Sequence, residues 1–205
     1  MLREVVRCVA TVKTAAHAGG MDAVAEAFRA VPRQGFLPRS ERGRASYDGP
    51  IAIGDGQTNS QPRTVDAMLR LLEVDRGMRV LDVGAGSGWT TALLAELVGP
   101  TGSVLGVEIA PRLVAWGSAN LAAAKFPWAS IVEASPGVLG RPEGAPYDRI
   151  LVSADASAMP GPLLDQLADP GRLVVPVRSR MTLVVQRDGE REVSRHGSYR
   201  FVPLL

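Results

Sequence analysis

Cysteine is almost absent from this 205-residue chain: Cys8 stands alone, so no intramolecular disulfide can form and packing must hold the fold. Lysine is nearly as scarce. Lys13 and Lys125 are the only two among 23 basic residues, and a net charge of +2 gives little reason to expect a nucleic-acid partner. Histidine occurs only at His17 and His196, which leaves two imidazoles for any proton transfer. Long apolar runs are missing too, since stretches such as Leu173 to Val177 fall far below the ~18 residues of a membrane-spanning helix. Near the start, Lys13 interrupts the apolar residues after Arg7 too soon for a secretory segment. These absences predict a cytoplasmic protein with no membrane partner. No repeat or low-complexity tract occurs, which removes solenoids and propellers.

The composition supports a packed core. Hydrophobic residues make up 46% and charged residues 21%, near the average of soluble domains, and the length suits one domain with a short appendage. Leu2 to Ala18 and Asp22 to Ala30 carry helical apolar spacing, broken at Gly19-Gly20. A run rich in proline and glycine follows, read as a loop with Val31, Phe36, Leu37 and Tyr47 as buried anchors. Ser60 precedes Gln61-Pro62 and the apolar series Val65, Met68, Leu69 and Leu72, so it reads as a helix N-cap with proline in the first turn.

From Arg79 onward strands and helices alternate. Val80 to Val83, Val104 to Ile109, Ile131-Val132, Ile150 to Ser153 and Leu173 to Val177 read as strands, with helices at Thr90 to Val98, Pro111 to Ala124 and around Leu163 to Leu167. Alternation of this size predicts an α/β fold, a doubly wound and mainly parallel sheet with helices on both faces. Met181 to Gln186 and Glu192 to Phe201, joined at Asp188-Gly189, read as a terminal antiparallel strand pair. Residues 1–60 then supply N-terminal helices and a covering loop, a lid, for residues 61–205, and the two act as one unit.

One loop carries the binding signal. In Val80-Leu81-Asp82-Val83-Gly84-Ala85-Gly86-Ser87-Gly88-Trp89, glycines between the first strand and its helix allow a sharp turn and a close approach to a ligand. Glu108, twenty residues past Gly88, ends the next strand, where a carboxylate can accept hydrogen bonds from a ribose diol. The glycine spacing departs from the dinucleotide fingerprint, so a nucleoside without a pyrophosphate fits better. The pattern resembles the S-adenosylmethionine site of Rossmann-like methyltransferases.

Four segments extend the resemblance to nearly the whole chain: Ala27 to Arg33 with Phe36-Leu37-Pro38; Tyr47 to Pro50 with Ile53 to Pro62; the glycine loop; and Phe201 to Leu204. Together they resemble the protein-L-isoaspartate O-methyltransferases, and the Gly54-Asp55-Gly56-Gln57-Thr58-Asn59-Ser60-Gln61-Pro62 stretch is the most specific. The resemblance implies transfer of a methyl group from S-adenosylmethionine to the side-chain carboxylate of an isoaspartyl residue in a protein or peptide. S-adenosylhomocysteine is the other product, and the ester then closes to a succinimide, the start of repair. It implies that Gln57, Thr58, Asn59, Ser60, Asp82, Gly84, Ala85, Gly86, Gly88, Glu108, Ile109 and Ser135 bind the cofactor. Thr58 and Ser60 stand at the catalytic positions, Ser60 as a positioner rather than a nucleophile. A carboxylate with a pKa near ~4 is already ionised at neutral pH and needs no general base, and neither histidine lies in a motif.

Several residues depart from the family pattern. Asn59 stands where an apolar residue is usual and Asp55 where His or Tyr is common, which predicts a changed rim of the acceptor site. Ser135, within Glu133 to Gly137, stands where the family carries an aspartate that meets the adenine amino group. Trp89 and Arg178 also differ. Such changes leave room for a divergent enzyme acting on Asp of a biosynthetic peptide, or for a non-catalytic binder of S-adenosylmethionine. An amino-directed nucleic-acid methyltransferase would carry an Asn/Asp-Pro-Pro-aromatic motif where Ser153 to Ser157 stand. A metal-dependent O-methyltransferase would have to draw on Asp155, Asp165 and Asp169, and no metal site is expected. A monomer is favoured.

Overall fold

The computed structural model describes residues 22–205, so the Leu2–Ala18 helix, Cys8 and His17 lie outside the described residues. The chain enters through helix α1 (Ala23–Ala30), whose N-cap Asp22 accepts a hydrogen bond from the Ala25 amide at 3.1 Å. Two short 3-10 turns, Arg33–Phe36 and Arg39–Arg44, lead to strands β1 (Ile51–Gly54) and β2 (Gln57–Asn59), a small antiparallel hairpin. The segment before Ser60, expected as loop, thus contains a short hairpin. Val31, Phe36 and Leu37 are buried as expected, but Tyr47 is 50% exposed and anchors nothing in the core.

Helix α2 (Pro62–Leu72) begins one residue later than the capping reading requires. A residue before proline is pushed to extended backbone, and Gln61 obeys with φ −58° and ψ 128°. Gln61 therefore takes the cap position, and Ser60 is not an N-cap. Proline in the first turn holds as read.

Strand β3 (Arg79–Val83), helix α3 (Trp89–Val98), strand β4 (Ser103–Glu108), helix α4 (Pro111–Ala124) and strand β5 (Ala129–Glu133) follow as alternating units. Strand β6 (Tyr147–Val152), the one-turn helix α5 (Gly161–Leu164) and strands β7 (Leu167–Val177), β8 (Arg180–Arg187) and β9 (Glu190–Ser198) complete the chain. The order across the sheet is β5-β4-β3-β6-β7-β8-β9; β3 to β7 are mutually parallel, and β8 and β9 are antiparallel. Connections run outward from β3 to β5 and then return to β6 on the other side of β3. That reversal opens a crevice at the carboxyl ends of the central strands.

Asp188 and Gly189 join β8 to β9 with φ of 53° and 76°, the conformation of a type I′ hairpin. The Asp169 carboxylate fixes it, accepting from the Asp188 and Gly189 amides at 2.8 and 2.6 Å. The α/β fold with a mainly parallel sheet and an antiparallel C-terminal pair is as read. Coverage of its faces is unequal.

One face packs Val65, Met68, Leu69 and Leu72 of α2 and Leu93, Leu94 and Val98 of α3 into a core that also takes Ala27 and Phe36. The opposite face buries Leu81, Val83, Ile150 and Val152 under Leu163, Leu167 and irregular chain that includes Leu139, Met159 and Leu204. Pro136, Pro142, Pro146, Pro160 and Pro162 in the segments after β5 and β6 explain the difference, because proline and glycine cannot sustain a long helix there. The helix expected around Leu163 to Leu167 is shorter than that, ending at Leu164, and Leu167 already opens β7.

Candidate active site

A cavity of about 1240 Å³ opens at the carboxyl ends of β3, β4, β5 and β6. Its floor is the turn from β3 into α3. Gly84, Gly86 and Gly88 have φ of 83°, 55° and 85°, conformations that a side chain would strain. Gly84, Ala85, Gly86 and Ser87 line the cavity, whereas Gly88 does not. A Cβ on Gly88 would stand 3.0 Å from the Gly117 carbonyl oxygen, so this glycine lets α3 pack on α4 instead of meeting a ligand.

Asp82 also lies behind the loop. It is fully buried and absent from the cavity wall; its Oδ2 accepts from Thr90 and Thr91 at 2.8 and 2.7 Å, and its Oδ1 has no partner among the described residues. Burial pushes this carboxyl up to about 6, with a small push from the Glu108 charge and opposition from the two threonine hydrogen bonds. Asp82 therefore braces the first turn of α3 and reaches a ligand only indirectly.

Glu108 is on the wall and 5% exposed. Its Oε2 accepts from the Gly86 amide at 2.8 Å and its Oε1 from the Ala110 amide at 3.0 Å. Each carboxylate oxygen has two lone pairs, so one per oxygen remains for a ligand diol. Beside it Ile109 is 52% exposed and Val138 39%, an apolar surface fit for one face of a flat ring. Large exposed hydrophobics are few among the described residues, and three of them, Ile109, Val138 and Leu205, face this cavity. A diol-accepting carboxylate beside an uncovered apolar wall fits an adenosyl group. Ser135 lines the same end.

The opposite wall carries Gln57, Thr58, Asn59 and Ser60 from β2 and the step into α2. Arg33, buried at 5% exposure, organises this segment. Its Nη1 donates to the Tyr47 carbonyl at 2.8 Å, and its Nη2 lies within 3.0 Å of the Gly49, Asn59 and Ser60 carbonyls. Its Nε donates to Asn59 Oδ1 at 2.6 Å, and Asn59 Nδ2 donates to Ser87 Oγ at 3.1 Å. Burial lowers the Arg33 guanidinium to about 10, which still leaves it charged at neutral pH. It lies 5.4 Å from the ring centre of Trp89, which packs edge-on against Phe28.

These contacts correct the expected rim. Asn59 is 4% exposed and bridges the Ser60 segment to the glycine loop. Asp55 is absent from the wall; it pairs with Arg112 at 2.9 Å and holds the β1–β2 turn on α4. The Trp89 departure gains a physical account as the platform for Arg33. Arg178, which donates to the Ser157 carbonyl at 2.8 Å, gains none.

The closing wall comes from the C-terminal segment, Ser198 to Leu205. Backbone bonds dock it on the end of β6, with the Asp155 amide donating to Val202 O at 2.7 Å and the Leu204 amide to Asp155 O at 2.9 Å. His196 is not on the wall and instead shares a 2.8 Å hydrogen bond with Ser194 on β9. Asp155 and Asp169 are committed to backbone amides. No group of three or more His, Cys, Asp or Glu suited to a metal ion occurs among the described residues.

The profile of the protein-L-isoaspartate(D-aspartate) O-methyltransferases matches residues 10–205. The chain belongs to this family. Protein-L-isoaspartate O-methyltransferase of Methanothrix thermoacetophila is 45% identical over 184 residues, covering 89% of this chain and 87% of that protein. Its counterpart in Methanopyrus kandleri is also 45% identical, over 187 residues, with 89% and 83% covered. Among solved structures, a putative member from Plasmodium falciparum in complex with S-adenosyl-L-homocysteine is similar, with a TM-score of 0.80, 26% identity and 90% and 91% of the two chains covered. Within this family chain, Gln57 to Ser60, Gly84 to Gly86, Glu108, Ile109 and Ser135 share one cavity, while Asp82 and Gly88 stand behind it. Arg33, Ser87 and Val138 carry no signal in the sequence, and for Arg33 the reason is that spacing does not distinguish a buried arginine from a surface one.

Proposed function

We infer that this protein transfers the methyl group of S-adenosylmethionine to the side-chain carboxylate of L-isoaspartyl residues in proteins or peptides. The observation that carries this reading is that the Gln57–Ser60 segment and the glycine loop, distant in sequence, line one cavity side by side, joined by the Asn59–Ser87 hydrogen bond at 3.1 Å. When bound, S-adenosylmethionine supplies a methyl group made electrophilic by its positively charged sulfur.

The residues present fit that cofactor. Glu108 accepts from the ribose hydroxyls, Ile109 and Val138 cover the adenine, and Ser135 offers a hydroxyl at the adenine edge. Gly84 and Gly86 let the backbone come close to the ligand. Ser60 and Thr58 donate their hydroxyl hydrogens to the acceptor carboxylate and aim one of its oxygens. Arg33 holds the Asn59 and Ser60 carbonyls, so these hydroxyls act from a fixed strand rather than a mobile loop. An ionised carboxylate has no proton to lose, and the cavity wall carries no histidine among the described residues. The chain's work is alignment and exclusion of water.

After release, the backbone nitrogen following the esterified residue closes on the ester carbonyl and methanol leaves, giving the succinimide from which repair proceeds. A cytoplasmic, monomeric enzyme without a nucleic-acid partner suits this reading, supported by the lone Cys8 and the slight charge balance. Mass spectrometry of an isoaspartyl peptide incubated with enzyme and S-adenosylmethionine tests it. Gain of one methyl group and then loss of methanol is expected; a methylated peptide that never loses methanol would contradict the assignment of the acceptor.

A further inference from the structure

Charges of both signs line the cavity. Glu108 and Glu133, partners in the β4–β5 register, stand at the end assigned to the adenosyl group, and the other charged lining residues are Arg63 and Arg200. Arg63 lies in the first turn of α2, beside the Ser60 segment, and Arg200 lies on the docked C-terminal segment. The two cations are not equivalent. Arg63 is paired with Asp48 at 2.7 Å, whereas Arg200 has neither an ion pair nor a side-chain hydrogen bond among the described residues. Its backbone is nonetheless fixed, because the Tyr199 amide donates to Ser179 O at 2.9 Å and Val202 O accepts from the Asp155 amide at 2.7 Å. A cation without a partner among the described residues is thus held on the C-terminal wall of a cavity whose β4–β5 side is acidic.

We propose that Arg200 selects acceptor segments that carry a second carboxylate next to the isoaspartyl residue. The inference rests on the proposed methyl transfer and adds a substrate class to it: acidic isoaspartyl segments over neutral ones, and neutral over basic ones. Arg200 acts here as a specificity residue, since its charge meets the flanking side chain and not the reacting oxygen. An exposed charge pair changes binding about 2- to 5-fold in either direction, and salt weakens it.

Three isoaspartyl peptides that differ only in Glu, Gln or Lys beside the isoaspartyl residue test this through kcat/KM. Wild-type enzyme should favour Glu over Lys on the order of tenfold at low ionic strength, through KM, and the ratio should shrink at about 0.5 M salt. The Glu-to-Lys ratio within each enzyme is the readout, and a purely structural role for Arg200 does not move it. Arg200→Gln should bring the ratio near unity and Arg200→Lys should largely keep it. Methylation of all three peptides with equal efficiency by wild type, or a ratio that survives Arg200→Gln, overturns the inference and leaves the methyl transfer standing. Failure to methylate any of them overturns both.

Discussion

Asn59 accepts a 2.6 Å hydrogen bond from the Nε of Arg33 in a buried position where both side chains are at most 5% exposed. The contact matters because the guanidinium forms no ion pair among the described residues, and its other hydrogens tie the Tyr47 and Gly49 carbonyls to those of Asn59 and Ser60, in the segment that presents Thr58. Asn59 completes that set and reaches Ser87 as well. Asn59→Leu should destabilise the protein by ~1–3 kcal/mol, the cost of leaving a buried charged donor unmet. Urea denaturation reads the loss. Unchanged stability would show that the network is not structural.

Asp82 gives a dependence on pH with a definite sign. Its carboxyl rises from 3.8 to about 6 on folding, so between these values the native state holds a proton that the unfolded chain has released. Stability from this group is therefore fullest below about 4 and falls as the pH rises to about 6. At ~1.36 kcal/mol per unit the loss is on the order of 3 kcal/mol. Asp82→Asn keeps an acceptor for Thr90 and Thr91 without the buried charge. It should flatten this part of the stability profile and be at least as stable as wild type at pH 7. A variant whose profile still descends between those values contradicts this account of the carboxyl.

Glu108 is predicted to carry the cofactor's ribose. Glu108→Ala should weaken binding of S-adenosylmethionine by ~1.5–3 kcal/mol, and Glu108→Gln by less, because an amide oxygen still accepts one bond. The alanine variant also strips the Gly86 and Ala110 amides of their acceptor, so a thermal melt should accompany the calorimetry. Equal affinity in wild type and Glu108→Ala would remove the ribose assignment.

Neither histidine should be needed. Replacement of His17 and His196 by Gln should leave a folded enzyme that transfers methyl groups at a rate close to wild type, because an ionised carboxylate needs no base. A folded double variant without activity would point to proton transfer that the base-free mechanism lacks.

The readable parts of this molecule are those set by local rules. Short apolar strands alternating with longer apolar helical stretches make β3 through α4 readable, and Asp188-Gly189 announces the β8–β9 hairpin through its demand for positive φ. The helix start slipped by one residue because the restriction before Pro62 overrides the capping preference of Ser60. On the second face the apolar spacing predicts more helix than forms, since the segments rich in proline and glycine carry only α5. The glycine loop and Glu108 were legible as a pair, but nothing in the spacing tells that Gly88 faces α4 while Gly86 faces the cavity. Arg33 stayed without a role for a related reason. Its partners lie 14 to 27 residues away, and such contacts belong to the tertiary fold.

The central claim is that the cavity presents an isoaspartyl carboxylate to S-adenosylmethionine, with Ser60 aiming it. Methyl incorporation from S-adenosylmethionine should be measured on an isoaspartyl peptide and on its aspartyl isomer, with wild type and with Ser60→Ala. The account predicts methylation of the isoaspartyl peptide alone, and a kcat for Ser60→Ala at least about tenfold lower with cofactor affinity within about 2-fold, the mark of a lost positioning contact. Equal labelling of the two isomers, or full activity in Ser60→Ala, would contradict it.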